Sequence, residues 1–467
     1  MATDRVLMFE FNELVPSIMT RFMNEGQIPN FKSLYDQADV FITDAGTTDP
    51  DVLEPWVQWV DVHTGVDCEE HGVRQLSEGG KYTGKRIWDV VFDAGKPAWV
   101  CGSMNVHCAS HPRGCVLPDP WSGETAPFPQ DLAPFYDFVK ANVQEHTSKK
   151  PRFDRAAMLA FAKFMFGHGL SASTVFAILG QLVAERFSNC RWKRATILDR
   201  LQADVFEHYY RREKPAFATF FINSCAFLQH RYWRNYDPAP FTLKPSEKDQ
   251  RDYGSAVLFG YQQLDAIVGR LVRVAGPEAT VIFSTALSQQ PHLLHEETGG
   301  KLCYRPHDYA QFLKAIGISG FKGVEPVMVG EFHVRFDDPQ AAARALARLN
   351  SLTVDGAPAF SSYSDGGSVF TGCVVRHKIG QEARIESSGT NEKWRFFDLL
   401  FQIDLVKSGR HHPDGMLWIK TPGGRHKVHA EKVSLCDIAP TVLSILGLPT
   451  PPEMRGNVLV GSHPVAV

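Results

Sequence analysis

Short unbroken apolar runs recur along the chain, and each ends in a cluster of polar residues. Residues 6–9 lead into Glu10, Asn12 and Glu13, residues 98–101 into Ser103 and Asn105, and residues 216–222 into Asn223 and Ser224. Residues 279–283 lead into Ser284, Ser288, Gln289 and Gln290, and residues 415–419 form a last run of the same kind. Apolar runs without alternation predict strands buried on both faces of a parallel sheet. Between them the spacing turns helical. Ile18, Met19, Phe22 and Met23 follow Pro16 and end at Gly26, while Trp56, Trp59, Val60 and His63 follow Pro55 and end at Gly65. Proline opening and glycine closing is the usual asymmetry of helix ends. Residues 87–94, 253–274 and 435–446 continue the pattern. Strand and helix in alternation predict an α/β fold, a doubly wound, mostly parallel sheet flanked by helices. Ligands of such sheets bind beyond the carboxyl ends of the strands, where these polar clusters fall.

Two stretches interrupt the alternation. Residues 111–214 open with a proline-rich loop (Pro118, Pro120, Pro127, Pro129, Pro134) and continue as long helical segments, predicting a helical insertion that acts as a lid over one end of the sheet. Residues 325–390 carry strand patterns at 331–336 and 368–375 around a helix at 338–350, predicting a small α+β insertion. The core sheet is then assembled from residues 1–110, 215–324 and 391–467. The most apolar segment, 156–183, contains Lys163 and His168 and is interrupted by Gly167 and Gly169. It is too broken to span a bilayer. A buried helical pair is expected there, with an interfacial or substrate-covering lid as the alternative.

At 467 residues, 44% of them hydrophobic and 22% charged, the chain has the makeup of a globular protein with a large core. Its 49 basic and 52 acidic residues leave a formal charge of -3, which gives no reason to expect a nucleic-acid partner. Nine cysteines, an odd number with no CxxC pair, argue against a disulfide framework or structural zinc module and for a reducing compartment. Asp4 and Arg5 precede the first strand without an apolar segment, so no signal peptide is expected and the localisation is read as cytoplasmic.

Several short motifs in a fixed order resemble the alkaline phosphatase superfamily, in its nucleotide pyrophosphatase/phosphodiesterase and sulfatase-like branch. They are Gly26-Gln27-Ile28-Pro29-Asn30-Phe31, Thr64-Gly65 with His71-Gly72, Gln229 to Trp233, and Asp437 to Thr441 with Leu446-Gly447-Leu448-Pro449. The resemblance covers roughly residues 5–105, 215–300 and 410–460. It implies a hydrolase in which carboxylates and imidazoles hold two zinc ions and a Thr, Ser or modified Cys attacks phosphorus or sulfur. The implied residues are mostly replaced. The first metal Asp falls on Asn12, the nucleophile on Glu54 or Pro55, and the Asp of an Asp-x-x-x-His pair on Ala226, with His230 kept. A later Asp-His pair falls on Thr285-Ala286. Without those carboxylates the usual two-zinc centre is not expected, because too little negative charge remains to offset two dications.

The polar residues that stay at the strand ends define the candidate site. Glu54, His230 and Glu10 are the catalytic candidates, as base, nucleophile or acid–base partner. Asn12, Glu13, Gln58, Arg231, Ser284, Gln289 and Gln290 are the substrate-binding candidates. For Glu10 and Glu13 a solvated loop position competes with the functional reading, and Glu54 is either a helix cap or a site residue. His230 with His292 and His295 gives a candidate for a single zinc or manganese ion, against the simpler reading of a polar surface turn. The cofactor expectation is therefore none or one divalent metal. His411-His412-Pro413-Asp414 and His426-Lys427-Val428-His429, which flank the last core strand, are weaker candidates of the same kind. The implied function is a hydrolase or transferase acting on a phosphate ester, sulfate ester or related glycan- or nucleotide-like small molecule through a rebuilt site. The alternative is a pseudoenzyme that binds an anionic or glycosyl ligand, or a protein partner, without turnover. A small molecule with an anionic or sugar group is the expected partner, with no nucleic acid, no transmembrane segment, and a homo-oligomer left open.

Overall fold

The computed structural model describes residues 5–122, 125–145, 155–294, 296–298, 300–327, 330–365, 367–403 and 407–460. The strand Val6–Phe11 pairs in parallel with Phe217–Ile222 on one side and Thr280–Ser284 on the other, inside a nine-stranded sheet. Beyond Phe217–Ile222 come Ala98–Cys101 and the edge strand Gly114–Leu117, both parallel. Beyond Thr280–Ser284 come Asp414–Lys420 and then Asp39–Asp44, to which the short strands Lys427–Val428 and Val433–Ser434 add. Asp414–Lys420 runs against both of its neighbours. The fold is thus the α/β, doubly wound and mostly parallel sheet that the apolar runs predict.

The central strand divides the core in two. Leu7, Phe9 and Phe11 point into one layer with helices Pro16–Asn24, Pro29–Tyr35, Ala195–Glu213 and Ala256–Ala275. Val6 and Met8 point into the other, with Pro55–Thr64, Ile87–Asp93 and Ile438–Ile445. Every residue of Val6–Phe11 is buried, which is why the run shows no alternation. A separate core between Leu302 and Leu400 holds two four-stranded antiparallel sheets. One of them contains Glu331–Phe336 and Ser368–Cys373, flanked by the helix Pro339–Asn350.

Two findings differ from the sequence reading. Gly114–Leu117, inside the stretch read as helical insertion, is the edge strand of the main sheet. Only four residues long, it gives no periodic signal against the prolines that follow. The segment read as a buried helical pair forms the helices Arg155–Gly167 and Ala172–Ala184, but they are not buried. Phe164 and Met165 are the buried residues of the first and Thr174 of the second. Both helices are apolar on more than one side, and only one side meets the protein.

Where Asp414–Lys420 crosses the sheet, Gly415 sits opposite Thr43. A Cβ at this position would lie 2.6 Å from Thr43 Oγ1 and 2.8 Å from the Ala286 carbonyl oxygen. Gly415→Ala is therefore expected to destabilise the fold by about 1–3 kcal/mol through overpacking. Denaturant titration checks this, and an unchanged midpoint would show that the crossing is not so tight.

Candidate functional site

The site begins where the central strand ends. Asn12 donates its backbone N–H to the Ile222 carbonyl, 3.0 Å away, and the chain then turns at Glu13 with a left-handed φ of 62°. A non-glycine residue in that region is unfavourable unless its surroundings hold it there. Here they do. The Glu13 carbonyl accepts from Gln229 Nε2 at 2.8 Å, and Gln229 is fixed in turn by the Tyr261 hydroxyl at 2.8 Å. The carboxylate is held at both oxygens, Oε1 by Asn12 Nδ2 and Oε2 by Gln289 Nε2, each at 2.6 Å. Trp59 Nε1, which can only donate, takes the Asn12 Oδ1 at 2.9 Å and so turns the Asn12 amide nitrogen toward Glu13 and Asn223.

Two imidazoles face this carboxylate. His230, on the helix Ser224–Tyr236, places Nε2 2.9 Å from Glu13 Oε2. His411, on the strand Gly409–His412, places Nε2 3.4 Å from the same oxygen. That strand pairs antiparallel with Ser288–Pro291, so His411 stands opposite Gln289. It also presses on the helix. Ser408 N–H donates to the His230 carbonyl at 2.7 Å, and a Cβ on Gly409 would come within 2.9 Å of the Gln229 carbonyl oxygen. Only glycine allows that approach.

The other ring nitrogens fix the tautomers. His230 Nδ1 lies 2.8 Å from the Gly409 carbonyl and His411 Nδ1 2.9 Å from the Leu53 carbonyl. Carbonyls only accept, so both Nδ1 atoms carry a proton, and both Nε2 atoms face Glu13, free either to donate a second proton to it or to offer a lone pair to a metal ion. Two imidazole nitrogens and a carboxylate oxygen therefore converge within 4.8 Å of one another. Such a set needs something positive among it, either protons or a metal ion. The donors fit a single divalent ion. One carboxylate with two imidazoles is a known three-ligand set for catalytic zinc, and backbone carbonyls holding the far ring nitrogens are the usual support for such ligands.

Electrostatics follow from this packing. Burial raises the Glu13 carboxyl, but His230 and then His411 outweigh it and hold the group well below the ordinary carboxylate range. Burial lowers His411, yet Glu13 and Glu54 together bring it above its ordinary value, whereas His230 stays below. Glu54 precedes the helix Pro55–Thr64 without capping it by its side chain. Its carboxylate turns instead to His411, with Oε2 3.4 Å from Nδ1, and burial pushes it up to about 7 against the pull of His411 and Lys407.

These groups open into a cavity of about 850 Å³. Glu13, His230, His411 and Glu54 share one wall region with Asn12, Lys301, Arg376, Lys407 and Glu331, while Trp56, Phe221, Phe227, Ile178 and Leu182 are among the apolar lining residues. Lys301 is held below its ordinary value by burial first and then by Arg376 and Lys407, so three cations crowd one another here. Their neighbourhood is suited to an anion.

The sequence candidates divide. Asn12, Glu13, Glu54 and His230 line the cavity. Gln289 and Gln290 support it from behind, Gln289 through Glu13 and Gln290 by donating to the His411 carbonyl at 2.9 Å. Glu10 faces the opposite layer and pairs with His63 Nε2 at 2.9 Å, fully buried. Gln58 is buried and donates to the Val52 carbonyl, Ser284 is buried at its strand end, and Arg231 lies over the Tyr232 ring. None of these four is among the cavity-lining residues. His292 follows Pro291, its N–H bonded to the Ser408 carbonyl, outside the Glu13–His230–His411 group. His295 lies outside the described residues. The sequence reading gave His411 little weight, although its place before the last core strand marked it. Lys301, Arg376 and Lys407, in separate loops, and Glu331, which opens the strand Glu331–Phe336, had no local signal, because only the tertiary fold brings them together.

No protein-family model and no curated protein matches the chain. Three solved structures are similar to it along nearly their whole length. Wild-type alkaline phosphatase PafA shares 11% identity over 98% of each chain with a TM-score of 0.45. Murine ectonucleotide pyrophosphatase/phosphodiesterase 5 shares 10% over 97% of each chain with a TM-score of 0.43. Phosphonoacetate hydrolase from Sinorhizobium meliloti 1021, in complex with phosphonoformate, shares 10% over 95% of each chain with a TM-score of 0.40.

A second polar pair lines the same cavity. Ser224, at the start of its helix, donates its hydroxyl to the Asp199 carboxylate, and burial pushes Asp199 up to about 7. Its folded-state pKa thus lies above the ordinary 3.8, so the folded chain holds a proton that the unfolded chain gives up. The stability this group contributes is full at acid pH and is lost as pH rises through about 7. Asp199→Asn is expected to flatten that part of the pH dependence and to exceed the wild type by about 1–3 kcal/mol at the alkaline end. Melting temperatures measured across the range check this, and parallel curves for the two proteins would contradict it.

Proposed function

We propose that the protein is a hydrolase or transferase of phosphate esters or closely related esters, built around one divalent ion, zinc or manganese, held by Glu13, His230 and His411. The observation that carries this reading is the convergence of three ligand atoms beside Lys301, Arg376 and Lys407 in one cavity. An ion held there would polarise an ester oxygen and acidify a bound water. Lys301, Arg376 and Lys407 bind and orient the anionic group, because cations that crowd one another in a buried cavity are relieved by an anion. Glu54, beside His411, takes or gives the proton at the reacting oxygen. The apolar wall formed by Trp56, Phe221 and Phe227 excludes water and holds the rest of the substrate. Asn12, Gln289 and Trp59 keep the carboxylate of Glu13 aimed.

A second reading, ligand binding without turnover, is favoured by one feature of the trio. Glu13 already meets both imidazoles at 2.9 and 3.4 Å, so protons alone can complete the group. The cavity would then hold an anionic ligand by its cations.

Metal analysis of protein purified without chelator separates the two, combined with turnover of p-nitrophenyl phosphate, bis-p-nitrophenyl phosphate and p-nitrophenyl sulfate. One equivalent of zinc or manganese is expected, lost in His411→Ala with a fall in kcat/KM of about 100-fold or more. Lys301→Met is expected to raise KM about tenfold with kcat less affected. A metal-free wild type that binds but does not hydrolyse would favour the second reading. Unchanged turnover in His411→Ala would remove the first.

A further inference from the structure

Among the described residues, fourteen large apolar side chains are strongly exposed, and eight of them fall between Met158 and Phe187. Leu159 is 72% exposed, Phe166 80%, Phe176 72% and Phe187 85%, with Met158, Leu179, Leu182 and Val183 about half exposed. On the helix Ala172–Ala184 the exposed Phe176, Leu179 and Val183 recur at helical spacing and form one face. The adjoining face, through Ile178, Gln181 and Leu182, lines the cavity. Leu182 belongs to both, so the exposed apolar surface runs to the cavity wall.

Cations outnumber acids along this segment. Residues 155–194 contain Arg155, Lys163, Arg186, Arg191, Lys193 and Arg194 against a single acid, Glu185. That acid is bonded to Arg194. Among the described residues no ion pair joins Arg155, Lys163, Arg186 or Arg191 to an acid, and each of the four is exposed. Aromatic and aliphatic side chains standing in solvent beside unpaired cations match the chemistry of an anionic bilayer surface, whose acyl boundary takes the former and whose headgroups take the latter. A second copy of the same face would set cation against cation. No helix is long and apolar enough to cross a membrane among the described residues, so the contact is one that lies on the bilayer.

We infer that the helices Arg155–Gly167 and Ala172–Ala184 dock the protein on an anionic phospholipid surface and turn one side of the cavity toward it. The inference goes beyond the proposed chemistry and does not depend on turnover, so binding and catalysis can fail separately.

Co-sedimentation with phosphatidylcholine vesicles, with and without phosphatidylglycerol, tests it on the full chain. The wild type is expected to pellet with the anionic vesicles and to be released by salt. The exposed-site variant Phe166→Glu/Phe176→Glu is expected to lose partitioning about tenfold or more, and Lys163→Glu/Arg186→Glu to lose the preference for phosphatidylglycerol. Circular dichroism melting of each variant, unchanged from the wild type, excludes unfolding as the cause. Three results would overturn the inference. One is wild type left in the supernatant with both vesicle types, and another is equal pelleting of the wild type and the phenylalanine variant. The third is a dimer in sedimentation equilibrium that Phe166→Glu/Phe176→Glu dissolves, which would assign the face to a second copy of the chain.

Discussion

Everything at this site depends on one constrained residue. Glu13 takes a left-handed backbone conformation directly after the central strand, and its carboxylate oxygen then meets two imidazoles. That turn costs about 1–3 kcal/mol for a non-glycine residue. The surroundings offset it with bonds to both carboxylate oxygens and to the carbonyl, from Asn12, Gln289 and Gln229. The parallel sheet supplies the rest. It brings the ends of Val6–Phe11, Phe217–Ile222 and Thr280–Ser284 side by side, so that residues far apart in sequence share one crevice.

The two histidines reach that crevice by a different route. His230 comes from the helix that follows Phe217–Ile222 and His411 from a short antiparallel strand before Asp414–Lys420. They meet because the Gly409 backbone can press against the Gln229–His230 backbone. The site is therefore an assembly of a parallel-sheet end with a clamp of strand on helix. A change in that clamp would move one imidazole relative to the other and to Glu13 without unfolding the sheet.

The core sheet was legible in the sequence because its strands are buried on both faces and show as unbroken apolar runs. Asp39–Asp44 was not, since its burial is interrupted at three positions and its pattern matches neither a buried nor an alternating strand. At the site, Glu13, Asn12 and His230 could be found from their places at strand ends. Glu13 was read as a substrate-binding residue and not as the carboxylate that joins the histidines, because the sequence does not show the left-handed turn at residue 13 that aims it at them. Glu10, one of the catalytic candidates, differs from Glu13 by three positions, and the pleat sends it into the opposite layer against His63. Lys301, Arg376 and Lys407 come from separate loops, and their convergence is a property of the tertiary fold alone. The helical segment was misjudged for a simpler reason. Its hydrophobicity was plain, but hydrophobicity does not say whether protein or something else covers it.

The measurement that tests the central claim most directly is anomalous diffraction at the zinc edge from crystals grown with zinc. The account predicts one peak, about 2.0–2.2 Å from Glu13 Oε2, His230 Nε2 and His411 Nε2. An absence of density there, with Glu13 still bonded to both imidazoles, would contradict it. So would a second peak about 3.5–4 Å from the first, which would mean a two-metal centre.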